Sequence, residues 1–326
     1  MNNFKPNGNF KYYLYFIEER MNIFWLRYYF EKQPYSSDPI FQEYKFTNVY
    51  RVLDRSSQYL LKNVIYNGKN HDIESVFWRI LLYKHFNLPS TWEYLEKQLG
   101  DIRIETSLKD ISEVLTDLIN KGETIYSNAY MLTASFMKNE IIKKKYGIYT
   151  GSKKHEAYLQ IFEKVILNGD LLYKIYKAGS LKEAYDIISS MITVGPFLAY
   201  QYIQDWNYTS FVDWDENSFC AAGPGTQRGI ERTFDITGKP DYEKIVKWVH
   251  NNFQQLCEDY KCEFISLPNH MPTVSDLSNC FCETFKLLKT LVPGEKSGEK
   301  RMKNKFSENQ YKINFVFPPK WGEIKI

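Results

Sequence analysis

Two segments constrain the fold of this chain more than anything else in it: "SLKDISEVLTDLINKG" (Ser107–Gly122) and "SLKEAYDIISSMI" (Ser180–Ile192). In the first, Leu108, Ile111, Val114, Leu115, Leu118 and Ile119 recur at the spacing of one helical face. Ser107 stands at the cap, Asp110 at the capping-box position and Gly122 at the stop. The second repeats the design, with Ser180 and Glu183 as capping box and Leu181, Ala184, Ile187, Ile188 and Met191 as the face. Amphipathic helices of this kind must bury their stripe against other helices when strands are scarce.

Strands are scarce here. The best period-2 candidate is "YKINFVF" (Tyr311–Phe317). "HDIESVFWRILLYKHF" (His71–Phe86) reads as a third, more buried helix, and Arg20 to Phe30 and Asn48 to Ile65 also read as helix. The expected fold class is therefore all-α, with few or no strands. The expected division is an N-terminal helical part over 1–125, a catalytic part over 126–290 and a tail over 291–326. Within the tail, "VPGEKSGEKRMKNKFSENQ" (Val292–Gln310) reads as a solvated loop, or as a basic arm that touches phosphate.

At 326 residues with 44% apolar content, the chain is long enough for a sizeable core. Aromatics at 17% fit a coding bias toward Tyr, Phe, Asn, Lys and Ile; stacking on bases is the functional alternative. A net charge of +3 excludes a generally cationic nucleic-acid binder but leaves room for a local basic face. The five cysteines (Cys220, Cys257, Cys262, Cys280, Cys282) fit free thiols in a reducing compartment. Their C-x4-C and C-x-C spacings match no zinc pattern, so no metal is expected. The first residues form no signal peptide, and no apolar run is long enough to span a membrane. An intracellular protein is the expectation.

"ITVGPFLAYQYI" (Ile192–Ile203) places a turn at Val194-Gly195 and a helix beginning at Pro196. A bare helix start with outward N–H groups holds a phosphate without a basic side chain. The candidate backbone contacts there are Val194, Gly195 and Phe197. "FVDWDE" follows, offering Asp213 and Asp215 at about twenty residues from Gly195. The resemblance to DNA glycosylases given below implies that one of these is the catalytic acid, because a carboxylate beside an anomeric carbon stabilises the cation that forms when an N-glycosidic bond breaks. Capping of a following turn is the plainer role. "CAAGPGTQRGIERTF" (Cys220–Phe234) reads as a tight glycine loop, with Gly223, Gly225, Thr226, Gln227 and Arg228 around a phosphate or a flipped nucleotide. Arg51 and Arg55, one turn apart, would share a helix face suited to phosphate or to an ion pair. Gln201 and Asp205, also one turn apart, would read a pyrimidine edge. Tyr126, Asn128 and Tyr130 would line the base pocket. Asp276 and Glu283 share a face of a late helix, with Asp276 as the reserve catalytic acid.

"IISSMITVGPFLAYQYI" resembles the helix-hairpin-helix of the DNA glycosylases with a Gly-Pro-Asp signature, although Ile192 and Thr193 stand where that family usually has Pro-Gly. No four-cysteine iron–sulfur spacing occurs, so no cofactor is expected. A narrower resemblance is to the helical domain of 5-hydroxymethyluracil DNA kinases and the related amino-acid:DNA transferases of thymine hypermodification. It rests on "FTNVYRVLDRSSQYL", "FWRILLYKHFN", "IYSNAYMLTAS", "GPFLAYQYIQDWNY", "AAGPGTQRGIERTF" and "DLSNCFCETFKLLK", in that order over roughly residues 40–290. It implies a helical, glycosylase-like fold acting on modified pyrimidines in duplex DNA. No GxxxxGK[ST] occurs in the chain, which argues against carrying over the kinase activity. The function expected at this point is a DNA glycosylase that flips and excises a 5-hydroxymethyl-derived pyrimidine, with or without glycosylation, in antiviral defence. The alternatives are a transferase that adds an amino acid or amine to activated 5-hydroxymethyluracil, and a DNA-binding module without chemistry.

Overall fold

The computed structural model describes residues 4–29, 32–127, 132, 134–149, 151–292, 305–306 and 314–326. Among them are fifteen α-helices joined by short 3-10 and π-helical turns, with isolated bridges but no strand or sheet. The all-α expectation holds. The described part of the strand candidate, Asn314 to Phe317, is irregular. No helix among the described residues is long and apolar enough to cross a membrane.

The helices fall into two compact units that interleave along the chain. The first unit takes 1–54, 215–317 and 321–326; the second takes 55–214 and 318–320. The first opens with α1 (Phe10–Tyr29) and α2 (Pro39–Glu43). The second holds α3 (Arg55–Tyr59), α4 (Ile73–Phe86), α5 (Pro89–Leu99), α6 (Leu108–Asn120), α7 (Glu140–Tyr146), α8 (Lys154–Phe162), α9 (Leu171–Lys177), α10 (Leu181–Ser189) and α11 (Pro196–Asn207). The chain then returns to the first unit with α12 (Pro224–Thr233), α13 (Tyr242–Asn251), α14 (Phe253–Tyr260) and α15 (Val274–Leu291).

In the first unit α15 is the axis, packed by α1, α12 and α13. Phe10, Tyr13, Leu14, Ile17, Met21 and Phe24 make the buried stripe of α1. Tyr13 stacks on Phe281 at 4.0 Å and donates its hydroxyl to the Leu277 carbonyl at 3.1 Å. The two helices are thus joined by both ring contact and hydrogen bond.

In the second unit α4 is buried from Ser75 through Phe86, which explains why its sequence shows no clean polar face. Arg79 is fully buried in it. Its guanidinium donates to the carbonyls of Val64 at 2.9 Å and Ile102 at 2.8 Å, and pairs with Glu96 at 3.2 Å and Asp101 at 3.3 Å. The Val64 carbonyl lies in a π-helical turn over Leu60–Ile65, where wide hydrogen bonding leaves backbone acceptors in need of donors.

The capped helices form as their sequences require. Ser107 accepts the Asp110 N–H at 3.2 Å, and Ser180 accepts the Glu183 N–H at 3.1 Å. Glu183 reaches back one residue further than a capping box needs, to the Gly179 N–H at 2.8 Å. The helix expected over 48–65 is broken instead. A 3-10 turn covers Arg51–Leu53, Asp54 is extended, and α3 begins at Arg55.

Candidate nucleic-acid interface

The hairpin of the second unit has the expected form. α10 and α11 pack on each other, and residues 190–195 turn between them. The left-handed residue of that turn is Thr193, at φ +75°. Gly195 is the N-cap of α11 in extended conformation, with Pro196 at the first helical position. Its bareness, and not a positive φ, is what it contributes. Gly195, Pro196 and Phe197 are exposed, while Val194 is buried. This end of α11 meets solvent with helix-start amides, an arrangement that suits an anionic oxygen.

The other face of α11 is committed to packing. Trp206 stacks on Phe77 at 5.5 Å and donates its indole N–H to the Phe77 carbonyl at 3.0 Å. Gln201 is half-buried. Asp205 is buried and pairs with Lys84 of α4 at 2.6 Å. That carboxylate was expected to read a base edge; the structure gives it to a buried ammonium, which needs a counter-charge away from water.

Beyond α11, Asn207 clamps the chain. Its amide donates to the Trp214 carbonyl at 3.0 Å and its oxygen accepts the Trp214 N–H at 3.2 Å. Val212 and Trp214 turn inward, so Asp213 between them is exposed. Asp215 is exposed too, and accepts the Asn217 N–H at 2.9 Å in a local turn. Stabilising a sugar cation calls for a sheltered carboxylate; Asp215 has the capping role instead.

Tyr126 packs its ring against His85 and Phe86 at 5.8 and 5.2 Å, with the Lys154 ammonium 4.3 Å from the ring centre. Its hydroxyl is buried without a hydrogen-bond partner among the described residues, and burial raises its pKa. Asn128 and Tyr130 lie outside the described residues.

A second set of expected residues meets in the first unit. Asp276 is the third residue of α15 and closes a capping box with Thr273. One carboxylate oxygen accepts the Arg51 N–H at 2.7 Å; the other accepts the Thr273 N–H and hydroxyl, both at 2.9 Å. Burial raises its pKa, while these hydrogen bonds work to lower it. Asp276 therefore pins the Arg51 turn to the start of α15 and has no oxygen to spare as a catalytic acid. The Arg51 side chain pairs with Asp54 at 2.9 Å. Asp54 also accepts the Asn48 N–H at 3.0 Å, and Arg20 donates to Asn48 at 2.7 Å and to the Thr47 carbonyl at 3.0 Å.

One and two turns further along α15 stand Asn279 and Glu283. Asn279 donates to the Thr47 hydroxyl at 2.8 Å. Glu283 is buried, accepts the Thr47 N–H at 3.1 Å and pairs with Lys286 at 2.5 Å. Asp276, Asn279, Glu283 and Lys286 thus form one polar face of α15, answered by the segment from Thr47 to Asp54. Sequence reasoning had Asp276 and Glu283 on that face. It missed Asn279 and Lys286, which the same helical spacing would have supplied, and it missed Thr47 and Asn48, for which there was no local signal. Arg55 starts α3 in the other unit, so the shared helical face expected for Arg51 and Arg55 does not exist.

The glycine-rich stretch is a helix and not a loop. Gly223 is its N-cap, Pro224 its first residue, and the helix runs to Thr233. A Cβ at Gly225 would lie 2.3 Å from the Cys282 sulfur, and one at Gly229 would lie 2.1 Å from the Phe281 carbonyl oxygen. These glycines serve close approach of α12 to α15. Thr226 is buried and donates to the Ser278 carbonyl at 2.9 Å, and Gln227 donates to the Ala222 carbonyl at 2.9 Å. Only Arg228 of the five expected phosphate contacts projects from α12 as an exposed cation, its guanidinium 5.8 Å from the Phe285 ring centre.

Comparison with known proteins gives this geometry a family. A family model described as the helical domain of 5-hmdU DNA kinase matches residues 7–297, a span that contains the hairpin, Arg51 and all of α15. The chain belongs to that family. It is 26% identical over 268 residues to the 5-hmdU DNA kinase of Bacillus phage SP10, a match covering 77% of this chain and 40% of that protein. No solved structure matches the chain.

The family overturns the excision reading. The relatives are named for phosphoryl transfer, which leaves the glycosidic bond intact, so the labels of glycosylase and hydrolase fall. The addition of amino acids or amines gives way with them.

Proposed function

We propose that this chain takes part in phosphorylating 5-hydroxymethyldeoxyuridine in DNA by binding the DNA and presenting its hydroxymethyl group. Phosphoryl transfer asks little covalent chemistry of a protein and much positioning and charge stabilisation. The polar face of α15 and the Thr47–Asp54 segment supply both kinds of group in one place: neutral donors and acceptors at Asn279 and Asn48, cations at Arg51 and Lys286. This convergence of two separate stretches is the observation that supports the reading. The chain has no GxxxxGK[ST], and in this reading its part is to hold the DNA rather than the triphosphate.

The test is fluorescence anisotropy with two duplexes that differ only in 5-hydroxymethyldeoxyuridine against thymidine. The modified duplex should bind at least several-fold more tightly, and Asn279→Ala should remove the preference. Equal affinity for the two duplexes would sink the proposal.

A further inference from the structure

Cys257 and Cys262 stand on either side of the turn that ends α14. Lys261 takes the left-handed conformation at φ +55°. The chain folds back there, and the Cys262 N–H donates to the Cys257 carbonyl at 2.8 Å. In a helix end of this kind the residue after the left-handed one packs its side chain on the last turn. Apolar pairs commonly meet at those two positions; here two free thiols do, both partly open to solvent. A backbone hydrogen bond between two residues keeps their Cα atoms within the reach of a disulfide, roughly 4.4–6.8 Å.

The Cys262 thiol has three acceptors around it: the Cys257 sulfur, the Leu14 carbonyl oxygen at 3.7 Å and the Glu18 carboxylate of α1. One S–H cannot serve all three. The hydrogen bond with Cys262 lowers the Cys257 pKa, against burial and the charges of Glu18 and Glu258. The same contact, then burial, raises Cys262. Cys257 is the thiolate of the pair and Cys262 its proton donor, which sorts the two into attacking and resolving sulfurs.

We infer that Cys257 and Cys262 are a dithiol site that closes reversibly to a disulfide, with the disulfide of a small-molecule thiol as its oxidant. The Cys257 thiolate attacks one sulfur of the small disulfide, that S–S bond breaks, and one small thiolate leaves. Cys262 passes its proton to Glu18 and attacks the Cys257 sulfur. The mixed S–S bond breaks and the second small thiolate leaves. Two electrons pass from the protein pair to the small disulfide, which takes up two protons from water as it becomes two thiols. The site lies apart from the polar face of α15 and does not depend on the DNA reading.

The experiment equilibrates the folded chain with reduced and oxidised glutathione, alkylates the remaining thiols and digests with trypsin, which cuts after Lys261, between the two cysteines. A disulfide then appears as a cross-link between two peptides and vanishes with dithiothreitol. At one fixed glutathione ratio the linked fraction relative to the unlinked should be at least about tenfold higher in the folded chain than in urea, because the turn holds the sulfurs together. Cys262→Ser, which keeps a hydrogen-bond donor beside Cys257, should stop at the mixed disulfide and carry glutathione on Cys257. Linkage no greater in the folded chain than in urea would overturn the site. So would a folded Cys262→Ser chain whose Cys257 takes up no glutathione.

Discussion

His85 sits among rings, with Tyr158 at 4.4 Å, Phe86 at 4.9 Å, Phe162 at 5.0 Å and Tyr126 at 5.8 Å. Its Nε2 is buried and meets no hydrogen-bond partner among the described residues. Burial, aided by the nearby Lys154 cation, pushes its pKa down from 6.5 to about 3. The folded chain keeps this imidazole neutral while the unfolded chain protonates it near the ordinary value. Stability from this residue is therefore intact above pH 6.5 and is lost progressively as pH falls toward 3. The full slope for one proton is about 1.4 kcal/mol per pH unit. Urea melts of the wild type and His85→Phe at pH 7.5 and pH 5 check it. The variant should lose less stability between the two, by about 1–2 kcal/mol. An equal loss would show that His85 titrates normally in the folded chain. No sequence pattern marks this residue, because its state is set by α8 and Tyr126, distant in the chain.

Between elements, the contact of α12 with α15 depends on atoms that are missing. Gly229→Ala should unfold the first unit or destabilise it by more than about 3 kcal/mol, because the new methyl meets a backbone carbonyl that cannot step aside. Gly225→Ala meets a side-chain sulfur at 2.3 Å and the Cys282 Cβ at 3.2 Å. The damage there should be partly relieved by Cys282→Ala, and a thermal-melt cycle of the two substitutions should show coupling of at least about 1 kcal/mol. Additivity would mean that the helices part on their own.

These elements also show what a sequence reveals. α6 and α10 were legible because their caps and stripes are local, and Ser107 and Ser180 bond as expected. The hairpin was legible because Pro196 fixes a helix start. α12 was misread as a loop because glycine and proline weaken a helix taken alone, whereas here they let it reach α15. The 48–65 stretch was misread because its break at Asp54 is enforced from afar: Asp276 holds the Arg51 amide and Asp54 takes the Asn48 amide. Of the candidate site, Asp276 and Glu283 were found together. Their partners were not, since Thr47 lies 236 residues from Glu283.

At the scale of the whole molecule, the second unit is inserted into the sequence of the first. Tyr13 donates to a carbonyl 264 residues away, and Asn9 to one 223 residues away. The stripe of α1 has no other long helix in the first unit to cover it as fully as α15 does. During synthesis α1 leaves the ribosome long before α15 exists. At about 5–20 residues per second the wait is roughly 13–50 s. Through that interval Phe10, Tyr13, Ile17 and Met21 face water while the segment 55–214 completes and folds. Nascent chains stalled with residue 260 outside the exit tunnel should therefore remain open to protease within α1, and chains stalled beyond residue 291 should be protected there. The long reach of one tyrosine thus makes the folding of α1 a timed event: its apolar stripe lacks its full cover until α15 arrives.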